Sequence, residues 1–210
     1  MRFDYEGVLL KLSEAKRDYY RKLAKEKGYR SRASFKLIQI NKKYRFIQPN
    51  HYVIDFGAAP GGWLEVASDL VSSKGKIIGI DITPIEPIAE NVEIIVCDIN
   101  NKKIDKEIIK NLGRKADVIL SDLSPNISGI WSIDYNKQID LTLSVINRLP
   151  GILNHGGSCL LKIFDGPKLR MVKDNLKNKF TEVRLVKPKA SRSSSSELYI
   201  LCKYYKPVFN

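Results

Sequence analysis

The chain has 210 residues, with 36 lysines and arginines against 23 acidic residues, for a net charge of +13. That length suits one domain with a sizeable core, and the charge favours a polyanionic partner, nucleic acid ahead of a membrane surface, over neutral metabolites. Two histidines and three widely spaced cysteines leave almost nothing for a zinc site, a disulfide framework or a histidine-based triad, and no apolar run approaches the roughly 20 residues of a membrane span.

The charged start has no signal-peptide core, so a cytoplasmic protein with reduced, buried Cys97, Cys159 and Cys202 is expected. The first predicted helix runs from Ser13 to Lys27 and stops at Gly28, a C-cap residue. It bears Lys16, Arg17, Arg21, Lys22, Lys25 and Lys27, with Tyr19, Tyr20 and Leu23 between them, and Tyr29-Arg30-Ser31-Arg32 prolongs the basic run. Such a run is either a solvated face or, with its aromatics, a track for a phosphate backbone and its unpaired bases. A second helix is predicted from Ala33 to Tyr44. The apolar run His51-Tyr52-Val53-Ile54 then enters Asp55-Phe56-Gly57-Ala58-Ala59-Pro60-Gly61-Gly62-Trp63. This stretch reads as a strand, a tight glycine-rich loop and a helix N-terminus, whose free N–H groups suit an anionic or polar ligand. Its spacing is not the G-x-G-x-x-G of a dinucleotide fold.

Beyond the loop, strand-length apolar runs lie at Lys76 to Ile80, Val92 to Cys97, Ala116 to Ser121, Ser158 to Ile163, Glu182 to Val186 and Glu197 to Lys203. They follow a first strand at Tyr52 to Asp55, and helices are predicted at Gly62 to Val71, Ile104 to Leu112, Asn136 to Leu153 and Pro167 to Lys179. The alternation predicts an α/β fold with a mostly parallel sheet covered on both faces. The last two strands are joined by the polar stretch from Lys187 to Ser196 without a helix, which predicts an antiparallel hairpin at one edge. Ligands of such sheets sit beyond the carboxyl ends of the strands, and Asp81, Asp98, Asp122 and Lys162 all fall at those ends. Asp81 is placed for ribose hydroxyls and Asp98 for an exocyclic amine, although each alone also reads as a turn former or helix cap. Lys162 interrupts an apolar strand. A buried lysine loses affinity for its proton and can act as a general base, whereas a stem lying along the sheet lets the ammonium reach water. Glu197 either balances a lysine or faces solvent at an edge.

The chain resembles the FtsJ/RrmJ-type RNA ribose 2′-O-methyltransferases from about Tyr29 to Tyr205. The likeness is carried by Arg30-Ser31-Arg32-Ala33-Ser34-Phe35-Lys36-Leu37, the Asp55 to Trp63 motif, Ser121-Asp122-Leu123-Ser124-Pro125-Asn126 with Ser128-Gly129, Leu161-Lys162-Ile163-Phe164, and Ser195-Ser196-Glu197-Leu198-Tyr199-Ile200. It implies a Rossmann-like class I S-adenosylmethionine-dependent methyltransferase domain over residues 1–210. In it, a seven-stranded, mostly parallel sheet has one antiparallel edge strand and helices on both faces, and residues 1–48 form a basic RNA-binding extension. It also implies a catalytic group of Lys36, Asp122, Lys162 and Glu197. Lys162 would take the ribose hydroxyl proton, Lys36 would disfavour a second positive charge beside it, and the two carboxylates would orient the amine.

The same resemblance puts Gly57, Gly61, Gly62 and Trp63 around the methionine end of the cofactor, Asp81 on its ribose, Asp98 on its adenine amino group and Asp122 near the reactive centre, with no metal. Arg17, Arg21, Lys25, Arg30 and Arg32, with the cations between Lys187 and Arg192, are the expected RNA surface. Leu123 and Ser124 stand where bacterial relatives commonly have Met and Ala, and Asp165-Gly166-Pro167 follows Phe164; these departures bear on the target more than on the reaction. The leading expectation is a monomeric enzyme acting on a uridine of large-subunit ribosomal RNA, free or assembled. The alternatives are a tRNA anticodon-loop ribose methyltransferase and a non-catalytic RNA-binding ribosome-assembly factor.

Overall fold

The computed structural model describes residues 19–192 and 195–207. The described part of the first helix, α1, covers residues 19–27 and ends at Gly28, whose φ of +75° makes it the left-handed stop that the sequence predicts. It is followed by α2 (Ser34–Tyr44), β1 (Tyr52–Phe56), α3 (Gly62–Val71), β2 (Lys76–Asp81), β3 (Val92–Val96), α4 (Ile104–Leu112) and β4 (Ala116–Ser121). The remaining elements are α5 (Trp131–Ile152), β5 (Leu153–Phe164), α6 (Leu169–Lys177), β6 (Phe180–Val186) and β7 (Glu197–Tyr205).

The strands form one seven-stranded sheet in the order β3-β2-β1-β4-β5-β7-β6. The first five are parallel to one another, and β7 runs antiparallel to both β5 and β6. The predicted hairpin therefore closes one edge, with β6 outermost and β7 the reversed strand. Successive strand residues point to opposite faces, and both faces are covered. Val53, Val118, Leu160 and Leu201 pack with Leu37, Ile40, Trp63 and Leu64 of α2 and α3. Ile54, Ile119, Leu161 and Ile200 pack with Ile104, Ile108, Ile139, Ile146 and Val172 of α4, α5 and α6. Double coverage is why these strands read as continuous apolar runs and not as an alternation.

Two boundaries differ from the sequence reading by five residues, and the other described ones by two or fewer. Helix α5 starts five residues before Asn136, at Trp131, because Asp134 in its first turn gathers the N–H groups of Ser128 and Gly129. Strand β5 begins at Leu153, and its register against β4 slips between Ala116↔Leu153 and Val118↔Ser158. The intervening Gly156 and Gly157 make that segment look like a turn in the sequence. No helix among the described residues is long and apolar enough to cross a membrane.

Candidate active site

Strand order reverses between β1 and β4: the chain leaves β1 towards β2 on one side and leaves β4 towards β5 on the other. A crevice opens at the carboxyl ends of such a pair, and the two loops that line it are fitted to one another. Gly57 has φ +78°, and a Cβ there would stand 2.9 Å from both N and Cα of Leu123, so the turn after β1 lies backbone to backbone against the loop after β4. At Gly62, the first residue of α3, a Cβ would strike Ser31 Oγ and lie 2.7 Å from Ser34 Oγ. The Ser34 hydroxyl instead donates to the Gly62 carbonyl at 3.0 Å. Arg30 fastens the same junction: its guanidinium pairs with Glu65 at 3.2 Å and donates to the carbonyls of Glu86 (2.8 Å) and Pro87 (2.6 Å).

On the β2–β3 side of the glycine loop lies a cleft of about 460 Å³ lined by Gly57, Asp81, Asp98, Asp122 and the loop from Leu123 to Asn126. The Asp81 carboxylate accepts the N–H groups of Ala59 and Thr83, both at 2.9 Å, which fixes the glycine loop against β2. Asp98 accepts the Asn100 N–H at 2.7 Å. The loop that carries Asp98 is held from behind by Arg148 of α5, which bonds to Asp105 at 2.6 Å and to the carbonyls of Ile99 and Asn101. Asp55, one residue before the end of β1, is completely buried and neither of its carboxylate oxygens has a partner. Burial, followed by the charges of Asp122 and Asp81, pushes its carboxyl well above the usual carboxylate range. Three carboxylates, Asp81, Asp98 and Asp122, line the cleft and suit a ligand that brings positive charge. S-adenosylmethionine, with its sulfonium and ammonium groups, fits that demand.

On the other side of the glycine loop is a pocket of about 240 Å³ lined by Ser31, Arg32, Lys36, Gly57, Ala59, Gly62, Trp63 and Asp122. The four residues of the expected catalytic group converge beside it. Lys36 Nζ is 2.6 Å from Glu197 Oε1, and Lys162 Nζ donates to the Asp122 carbonyl at 2.7 Å and lies 3.3 Å from its Oδ1. Both lysines are 6 % exposed, so each is buried with a carboxylate partner.

A fifth residue joins the two pairs. The Tyr199 hydroxyl donates to Asp122 Oδ1 at 2.8 Å, accepts from Lys36 Nζ at 3.0 Å and sits 3.3 Å from Glu197 Oε1. Burial, then the charges of Asp122 and Glu197, holds its phenol well above the ordinary tyrosine range, so it remains a donor. Tyr199 is the register partner of Lys162 across β5 and β7, a pairing that supplies the one signal able to single it out. The Trp63 ring packs 5.7 Å from that of Tyr199, and its N–H donates to the Ala33 carbonyl at 2.9 Å.

A third cavity, about 640 Å³, is lined by Arg21, Lys25, Tyr29, Arg30, Ser31, Arg32 and Arg192, and shares Ser31 and Arg32 with the small pocket. Four of the five residues expected to touch RNA meet there; Arg17 lies outside the described residues. No group of three or more His, Cys, Asp or Glu side chains among the described residues is arranged to hold a metal ion.

Comparison with known proteins bears on what this arrangement serves. The model of the FtsJ-like methyltransferase family matches residues 29–205. A ribosomal RNA large subunit methyltransferase E of Nitrosopumilus maritimus is 43 % identical over 193 residues, which cover 92 % of this chain and 98 % of the relative. A protein of the same name from Methanosarcina mazei is 47 % identical over 195 residues, covering 92 % and 72 % of the two chains. Among solved structures, a Plasmodium falciparum protein described as a ribosomal RNA methyltransferase superposes with a TM-score of 0.76 at 32 % identity, covering 84 % of this chain and 98 % of its own.

Proposed function

The chain belongs to the FtsJ-like methyltransferase family, and from that premise we propose that it methylates a ribose 2′-hydroxyl of large-subunit ribosomal RNA, at a uridine. It is an S-adenosylmethionine-dependent methyltransferase. The observation that carries the rest is the position of Asp122. It lines the acidic cleft on one side and the small pocket on the other, and it holds both Lys162 and Tyr199.

S-adenosylmethionine supplies an electrophilic methyl group on a sulfonium. Gly57, Gly61, Gly62 and Trp63 would hold its methionine end, Asp81 its ribose hydroxyls and Asp98 its adenine amino group, with Asp122 beside the methyl group. The acceptor ribose enters by the small pocket. As its 2′-oxygen forms the new O–C bond to the methyl carbon, the S–C bond of the donor breaks to leave neutral S-adenosylhomocysteine, and the hydroxyl proton passes to the amine of Lys162. That amine is aimed by the Asp122 carbonyl and carboxylate. Lys36 is neutralised by Glu197 and braces the cluster through Tyr199. Fixing the acceptor oxygen and the base in one rigid frame supplies alignment, which can account for a large share of such a barrier. The RNA backbone lies over Arg21, Lys25 and Arg32 of the basic N-terminal segment and over Arg192, and the protein acts as a monomer in the cytoplasm.

The test is to incubate the protein with a donor labelled in its methyl group and with undermodified large subunits, free ribosomal RNA and tRNA, then map the label to a nucleotide. Label on a ribose of large-subunit RNA is expected; label on a base or on protein would sink the assignment. Lys162→Ala should nearly abolish transfer while equilibrium dialysis shows the cofactor still bound. Near-normal turnover in that variant would remove Lys162 as the base.

A further inference from the structure

The loop that leaves Asp122 and opens α5 exposes four large apolar side chains within seven residues, Ile127, Ile130, Trp131 and Ile133, and methyl transfer uses none of them. This loop is built to hold one shape. The buried Asp134 carboxylate accepts the Ser128 N–H at 2.8 Å, the Ser128 hydroxyl at 2.7 Å and the Gly129 N–H at 3.1 Å. Trp131 stacks on Phe164, with ring centroids 5.9 Å apart and planes 19° from parallel, and leans on Tyr135 at 5.7 Å. Tyr135 is itself fixed: its hydroxyl accepts the Lys168 N–H at 2.6 Å, and its ring lies so close to Gly166 that a Cβ there would come within 2.5 Å. Trp131 nevertheless stays 51 % exposed. The result is an indole ring anchored through its neighbours and open to solvent.

Position and charge select the occupant. Phe164 ends the strand that carries Lys162 and is the register partner of Glu197, so the ring stacked on it stands at the same carboxyl-terminal edge of the sheet as the catalytic cluster. Trp131 opens α5, on the face of the sheet opposite α2. Lys168, which donates to Asn136, and the exposed Arg170 stand on the adjoining segment. Protein-binding patches are depleted in lysine, whereas a free aromatic face with cations beside it is the combination that holds an unpaired base and its phosphate. We propose that Trp131 is a stacking platform for an unpaired nucleobase next to the acceptor nucleotide, so that the RNA is gripped on both sides of the reacting ribose. The platform rests on the RNA-methylating reading of the site.

Two measurements test it. Titration with a single-stranded oligoribonucleotide should quench tryptophan fluorescence, inorganic polyphosphate of matched charge should not, and Trp131→Leu should remove the response, since Trp63 is only 3 % exposed. On the substrate that the native chain methylates, Trp131→Ala should raise KM about tenfold, the lower-to-middle range for removal of one base stack. Trp131→Phe should recover most of that deficit, with kcat and cofactor affinity unchanged. Equal quenching by polyphosphate, or an unchanged KM in Trp131→Ala, overturns the platform and leaves the methylation reading standing. A raised KM without base-dependent quenching assigns the patch to a ribosomal protein and overturns it as well. A native chain that labels no RNA at all overturns the functional reading, and the platform with it.

Discussion

Tyr199 gives the site a single oxygen atom, and three charged residues lean on it. Tyr199→Phe keeps the ring and its packing against Trp63, but leaves Lys36 with Glu197 alone and Asp122 with Lys162 alone. A buried polar group deprived of one partner costs about 1–3 kcal/mol, so kcat should fall roughly tenfold to a hundredfold, with cofactor affinity near native by equilibrium dialysis. An unchanged kcat would reduce Tyr199 to packing. Asp55 yields a pH prediction. Its carboxyl is raised well above the ordinary range by burial and by Asp122 and Asp81. A raised group favours the folded state fully below its unfolded pKa of about 3.9 and progressively less as pH climbs through the folded value. Asp55→Asn keeps the uncharged shape, so its melting temperature should gain on that of the native chain as pH rises across that window. A constant difference between the two melting curves across pH would show that burial does not hold the Asp55 carboxyl uncharged.

At the scale of elements, the site depends on how closely two loops meet. Gly57→Ala sets a side chain against the Leu123 backbone at a residue with φ +78°. The left-handed conformation alone costs an L-residue about 1–2 kcal/mol, and the collision must displace Leu123 and with it Asp122. Gly113, with φ +84° but nothing within 4 Å of a Cβ, is the control. Gly113→Ala should lower the melting temperature only, while Gly57→Ala should also weaken cofactor binding and turnover. Similar behaviour of the two variants would mean that the close fit of the loops is incidental.

The same elements show what was legible beforehand. The strand–helix alternation, the glycine loop and the acidic strand ends could be read because each is local: apolar runs, glycines and an interrupting Lys162 announce themselves in a few residues. Lys36 was one lysine among many on its helix and came only from the family resemblance, since nothing local marks a lysine that will meet Glu197 161 residues away. Tyr199 needed the β5–β7 register. Arg30 reads as one more cation in a basic run, yet its guanidinium is engaged with Glu65 and with loop carbonyls, partners that folding alone brings to it. The start of α5 was hidden by the exposed apolar residues before it, which follow no helical stripe.

For the molecule as a whole, the charge of +13 and the basic cavity beside the small pocket make RNA binding an electrostatic event. Reversing Arg21 and Lys25 to Glu should weaken RNA binding and flatten its dependence on salt, by about 0.7 to 0.9 in the slope of log K against log salt for each phosphate no longer neutralised. Filter binding between low and moderate salt measures it, and an unaltered slope would return α1 to the role of a solvated face. The glycine loop also has a bearing on turnover. Gly57, Ala59 and Asp122 form a wall common to the acidic cleft and the small pocket, so a shift in the glycine loop reshapes both compartments together.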